Sequence, residues 1–145
     1  MRKKLEKLGI ALPEKFSAGF CRKVVNPTEP IGLGGYGSEA KRVSCDIMDD
    51  ICVSVTALCD GDKIVIFISS DTLHTSYAVY ERAAKNLEEK FGIAKEYIIF
   101  NSTHTHAAPS VHRGVACPGL EAYNPIYYGG IVEATEEALR DLAPA

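Results

Sequence analysis

The chain has 145 residues, 46% of them hydrophobic and 24% charged, with a formal net charge of −3. That size and balance suit one globular domain with a single core and exclude a disordered chain. The 16 basic residues form no stripe, which argues against a nucleic-acid partner, and the longest apolar run, Ile64–Ile68, is far too short to span a bilayer.

The N-terminus, Met1-Arg2-Lys3-Lys4, has the basic start of a secretory leader, but Leu5-Glu6-Lys7-Leu8 breaks the apolar stretch that a leader needs. We therefore expect a cytoplasmic protein. The 5 cysteines, Cys21, Cys45, Cys52, Cys59 and Cys117, agree: they are odd in number, form no C-x-x-C and read as reduced, mostly buried thiols. Residues 1–17 are read as an N-terminal segment and 18–145 as the body of the domain.

Ala18–Val25 has the composition of a short strand. The stretch from Asn26 to Ser38 holds Pro27 and Pro30 together with Gly32, Gly34, Gly35 and Gly37, and must be a loop. It lacks the Lys-Ser/Thr ending of a P-loop and does not open a helix directly after a strand, so it is not read as a phosphate cradle. Its glycines are instead expected to let backbone pass close to another element or to line a pocket wall. Ile51–Leu58 alternates β-branched residues as a strand does, and Asp60-Gly61-Asp62 has hairpin-turn chemistry.

Lys63–Ser69 is a continuous apolar run and predicts a central strand buried on both faces. A helix follows over roughly Thr75–Phe91, with Tyr80, Ala84, Leu87 and Phe91 on one side and Gly92 placed to end it. Tyr97–Phe100 is the next strand. The tail, Pro125–Leu142, predicts a second helix with Asn124 as its cap, Pro125 in its first turn and Tyr127, Ile131, Ala134, Ala138 and Leu142 as its apolar stripe. Nothing after it suggests a strand that would close a sheet edge. The fold class is α/β: a central mixed sheet with a βαβ crossover, helices packed on it, and an incomplete domain. A crossover of this length joins parallel neighbours, which would bring Asp71 and His104, each just past a strand end, to the same edge of the sheet.

That edge holds the candidate chemistry. His104 and His106 are two of only 4 histidines and sit two apart after a buried strand. Imidazole suits Zn²⁺, and in an extended backbone alternate side chains would turn both rings into one pocket. The same pair also fits a polar strand end hydrogen-bonded to its neighbours. Asp71 fits two roles: orienting a histidine near a metal, or capping the helix after it. His74 sits at the same mouth as a helix-entry or surface residue. His112 and Arg113 lie in the following loop, where substrate contacts often arise.

Together these segments resemble the N-terminal part of the catalytic domain of the neutral/alkaline ceramidase family. The resemblance runs through Ala18-Gly19-Phe20, Asn26–Gly37 with its Gly35-Tyr36-Gly37, Asp49-Asp50-Ile51 and Ile64–Asp71. It is sharpest at Asn101-Ser102-Thr103-His104-Thr105-His106-Ala107-Ala108-Pro109, close to the family's Thr-His-Thr-His-Ser-Gly-Pro signature. It implies a zinc-dependent amide hydrolase acting on N-acylsphingosines or related N-acyl amides, in sphingolipid metabolism. His104 is then the zinc ligand, and His106 lies beside the metal and helps position substrate or polarise the amide carbonyl; from its place at the same edge, Asp71 is counted with His106 as a catalytic candidate.

Two departures stand out. The signature's Ser-Gly is Ala107-Ala108 here, and the family's second histidine, glutamate and tyrosine ligands come from far downstream of Ala145. Glu121, Tyr123 and Tyr127 have no spacing that supports them as replacements. The expectation is an N-terminal piece of a longer protein or a truncated member, completed by a downstream region or by a homo-oligomer. A different class is a non-catalytic binding or assembly subunit that keeps the fold without the metal site. A triad of Ser102, His104 and Asp71 is disfavoured because no Gly-x-Ser-x-Gly turn is present.

Overall fold

The computed structural model describes residues 1–37, 41–111 and 117–145. Strands β1 (Ser17–Val24), β2 (Cys52–Asp60), β3 (Lys63–Ser70), β4 (Ile98–Ser102) and β5 (Ala143–Pro144) form one sheet in the order β4-β3-β2-β1-β5. Helices α1 (Arg2–Lys7), α2 (Tyr77–Phe91) and α3 (Leu120–Arg140) complete the architecture. β1, β2 and β3 form an antiparallel meander, and β2 and β3 are joined by a tight turn in which Asp60 pairs with Lys63. α2 then carries the chain over to β4, which pairs parallel with β3. The expected mixed sheet and βαβ crossover are both present. No helix among the described residues is long and apolar enough to cross a membrane.

The core lies on one side of the sheet. Ile64, Ile66 and Ile68 of β3 join Val79, Ala83, Leu87 and Phe91 of α2 and Tyr127, Ile131, Ala134 and Ala138 of α3 in one apolar cluster. The alternate positions face away from both helices. Phe20, Thr56, Phe67 and Ile99 stand side by side across four strands, and Phe67 is 39% and Ile99 49% exposed. This corrects the reading of Lys63–Ser69 as a strand buried on both faces. The outer face carries an apolar row, but the described helices cover only the other face.

α2 starts two residues later than expected, because the Ser76 hydroxyl accepts a hydrogen bond from the Val79 amide and so fixes the first turn. It ends at Gly92, whose φ of 74° is the left-handed conformation expected there. Its buried stripe runs through Val79 and Ala83, while Tyr80 sits at the margin with its hydroxyl donating to the Lys95 carbonyl at 2.8 Å.

α3 departs more. It begins at Leu120, after Gly119, and Pro125 lies inside it, so Asn124 is not its cap. The expected stripe is buried from Tyr127 to Ala138, and Tyr123, a turn earlier, extends it. Gly130 is required where the helix crosses the end of β1, since a Cβ there would overlap Val25 Cγ1. The tail also differs: Ala143 and Pro144 pair with Ala18 and Ser17, so a short β5 borders β1 where no closing strand was expected.

Residues 1–17 pack on the same core. Leu5 is fully buried and Ile10 nearly so, while Lys4 Nζ donates to the Glu88 and Glu89 carbonyls at the C-terminal end of α2. A lysine ammonium is favourable there because it meets unpaired carbonyls and the negative end of the helix dipole. All 5 cysteines are free thiols; Cys21, Cys52 and Cys59 are buried and Cys45 is exposed.

Candidate metal centre

The parallel pairing of β3 and β4 sets Ser70 beside Ser102, so the segments that follow both strands leave the sheet at one edge. They are stitched together at once. The Thr103 amide donates to the Ser70 carbonyl at 3.0 Å, and the His104 amide to the Thr72 carbonyl at 3.1 Å. Below them Ser102 Oγ lies 3.1 Å from Thr72 Oγ1 and 2.7 Å from Thr75 Oγ1. Ser102 is therefore the centre of a hydroxyl cluster that ties the two segments together, which is a different place from an exposed nucleophile at a sharp turn.

The histidine segment is not extended. His104 has a φ of 62°, in the left-handed region that a side chain with a Cβ enters at a cost of about 1–2 kcal/mol. The kink has a consequence. It turns the His104 ring so that Nδ1 lies 2.7 Å from the Leu73 carbonyl oxygen. A carbonyl only accepts, so Nδ1 carries the proton, and Nε2 of the neutral ring keeps its lone pair. The two rings then meet, with His104 Nε2 and His106 Nε2 3.4 Å apart. The expected convergence is present, but a left-handed residue produces it rather than strand alternation.

His106 is positioned by the glycine loop. A Cβ at Gly35 would overlap His106 Nδ1, and Gly35 itself has a φ of 84°, so only glycine fits both demands. The Tyr36 ring meets the imidazole edge-on, with centroids 4.7 Å apart. His106 Nδ1 is buried without a hydrogen-bond partner among the described residues.

Arg42, which the sequence reading passed over, joins loop and histidine segment. Its guanidinium donates to the carbonyls of Gly34 (3.1 Å), Gly35 (2.8 Å) and His106 (3.0 Å), and lies 4.9 Å from the Tyr36 ring centroid. Planar guanidinium donors suit such a set of carbonyls, and the aromatic face adds a cation–π contact. Only its rank as the lone arginine between the glycine loop and β2 could have drawn attention to it.

Asp71 Oδ2 accepts from the Cys52 amide at 3.0 Å while the Asp71 amide donates to the Cys52 carbonyl at 3.0 Å. The carboxylate is thus fixed on β2. Among the described residues it makes no hydrogen bond to either histidine, and Ser76 rather than Asp71 caps α2. Asp71 lines instead a neighbouring cavity of about 430 Å³, which Thr105, Ala107 and Pro109 of the histidine segment also border. His74 is exposed on the loop before α2. His112 and Arg113 lie outside the described residues.

Glu121 is exposed on the first turn of α3. Tyr123 is buried and donates to the Val25 carbonyl at 2.8 Å, and Tyr127 is buried with its hydroxyl 3.0 Å from Ser70 Oγ. Burial pushes both phenols well above the usual tyrosine range, so they are neutral core groups rather than anionic ligands.

Zinc takes four ligands in a structural site and three plus an open position in a catalytic one. Two nitrogens on a tetrahedral zinc at the usual ligand distance of about 2.0–2.1 Å stand roughly 3.3–3.4 Å apart. The His104–His106 separation matches that spacing, and the Leu73 carbonyl fixes the His104 tautomer as an outer-shell partner does. The pair fits one edge of a zinc site. Among the described residues no group of three or more His, Cys, Asp or Glu side chains is placed to hold a metal.

No family model and no curated relative matches the sequence. Solved structures do. A neutral ceramidase from Pseudomonas aeruginosa superposes with a TM-score of 0.76 over 91% of this chain at 18% identity, and a ceramidase complexed with C2 superposes with a TM-score of 0.75 over 91% at 18% identity. The chain spans 22% of the length of each. At this identity the likeness is one of fold, and it is the fold that the histidine signature and the glycine loop led us to expect.

Proposed function

We propose that these 145 residues are the N-terminal part of a ceramidase-like hydrolase whose reaction is zinc-dependent cleavage of an N-acyl amide. The observation that supports this most directly is the pair of imidazole Nε2 atoms 3.4 Å apart at the parallel strand ends of a ceramidase fold. The reaction is hydrolysis: the amide C–N bond breaks, water supplies the carboxylate oxygen, and the amine leaves as an ammonium ion. N-acylsphingosine is the substrate class that the sequence resemblance suggests.

His104 holds the metal through Nε2, with its Nδ1 proton committed to Leu73. When bound, zinc supplies Lewis acidity toward the amide carbonyl. His106 Nε2, 3.4 Å from His104 Nε2, turns its lone pair toward the same point, so that the ring sits beside the reacting carbonyl. Gly35, Tyr36 and Arg42 keep that ring in place, and Asp71 holds the wall of the adjacent cavity to β2. Among the described residues no third ligand stands with them, and the resemblance points to a downstream region or a second chain for the rest.

Release of free amine from N-acylsphingosine, followed together with bound zinc by mass spectrometry, tests this reading. Turnover should require zinc, be absent from the 145-residue chain when no further ligands are supplied, and fall by more than about a hundredfold in His104→Ala once they are. Turnover that survives His104→Ala, or that is indifferent to chelator, overturns it.

A further inference from the structure

The cavity beside the histidine segment has no role in the chemistry above. Its volume, about 430 Å³, lies in the range of small-molecule sites, roughly 300–1,000 Å³. Its wall is mainly apolar, with Ile31, Leu33, Ile47, Met48 and Ile51 among the lining residues. Part of that wall is left open to solvent: Met48 is 93% and Ile47 44% exposed. Apolar side chains held out on a loop, at the mouth of a cavity, are surface that an apolar ligand would cover.

The charge of the same cavity is one-sided. Asp46, Asp49, Asp50 and Asp71 line it, and no lysine, arginine or histidine does among the described residues. Asp50 Oδ1 accepts from Asn26 Nδ2 at 2.7 Å, and Asp71 is held by the Cys52 amide, so two of these carboxylates are fixed in place by neutral donors. Two cations lie nearby: Arg22, exposed on β1, whose charge is favoured by Cys52 first and then by Asp71 and Asp50, and Arg42, whose guanidinium is taken up by the carbonyls of Gly34, Gly35 and His106. Neither guanidinium lines the cavity, and two do not offset four carboxylates.

Amide hydrolysis yields two products of opposite charge, a carboxylate and an ammonium ion. A cavity lined by four aspartates repels the first and attracts the second. We propose that this cavity takes the amine half of the substrate and holds the alkyl ammonium product, with the chain on Ile31, Leu33 and Ile47 and the cationic head among the aspartates. The acyl half then lies on the other side of the histidine pair. This assignment rests on the amide-hydrolase reading for its meaning, but the cavity's preference for charge is a property of the chain alone.

The test therefore needs neither metal nor turnover. Binding of octylamine, octanol and octanoate to the purified 145-residue chain is measured by calorimetry in the presence of chelator. Octylamine should bind at least about tenfold more tightly than octanoate, with octanol between them. Asp46→Asn with Asp49→Asn, both exposed changes that leave the fold intact, should shrink that difference to about twofold. Ile47→Ser with Met48→Ser should weaken octylamine and octanol alike.

Octanoate binding as tightly as octylamine overturns the charge assignment. Binding of none of the three, with circular dichroism showing a folded chain, overturns the cavity as a ligand site. Either failure would leave the zinc-amidase reading standing, since that reading depends on His104 and not on this wall.

Discussion

His104 is the residue on which most of the local structure depends. Its left-handed backbone, its amide bond to Thr72 and its ring bond to Leu73 all serve one orientation of Nε2. Gly35 does the same for His106 from the opposite side. Gly35→Ala should therefore cost about 1–2 kcal/mol in chemical denaturation and displace the His106 ring, which its side-chain NMR resonances would report. A second residue-scale prediction concerns the thiols. Burial, reinforced by a hydrogen bond to Glu137 at 3.0 Å, pushes the Cys21 thiol up to about 11, whereas Cys45 is exposed. Iodoacetamide near neutral pH should label Cys45 first and leave Cys21 protected, as mass spectrometry of the peptides would show. Because the raised value favours the protonated thiol in the folded state, its stabilisation is complete below the ordinary thiol value of 9.0 and is lost as pH climbs towards about 11.

Among the elements, the clearest legibility is in the β3-α2-β4 unit. Its apolar runs are long, its helix has one periodic stripe, and Gly92 marks the end, so composition and periodicity agree. α3 was harder because local rules and packing disagree. Pro125 favours a helix start, yet the helix begins at Leu120, and Tyr123 reaches the core only because that extra turn exists. Gly130 looks like a weak point and is a packing requirement; Gly130→Leu should cost about 1–3 kcal/mol by overpacking against Val25, measurable in urea. The kink at His104 was not legible at all, since neighbouring threonines suggest extended backbone and no glycine marks the turn. Arg42 was equally hidden, because an arginine next to a loop is ordinarily solvated and its three carbonyl partners come from two distant segments.

At the scale of the whole molecule, the one-sided core is the main physical fact. The row Phe20, Thr56, Phe67 and Ile99 lies on the sheet face away from α2 and α3. Removing side chains from the two faces of β3 should therefore have unequal effects. Ile66→Ala is expected to cost about 2–4 kcal/mol and Phe67→Ala less than about 1 kcal/mol, as paired urea titrations would measure. The chain's span of 22% of the ceramidases that share its fold sets the same scale for the site: two histidines converge here, and a complete zinc set needs more. On the function proposed above, these two rings form one edge of that site. Zinc titration of the 145-residue chain, followed through the ring nitrogens of His104 and His106 by NMR, tests it most directly. Weak binding is expected, in which both Nε2 resonances shift together, His104 Nδ1 stays protonated, and His104→Ala abolishes the effect on His106. Zinc that leaves both rings unmoved, or that shifts His106 equally well without His104, would contradict it.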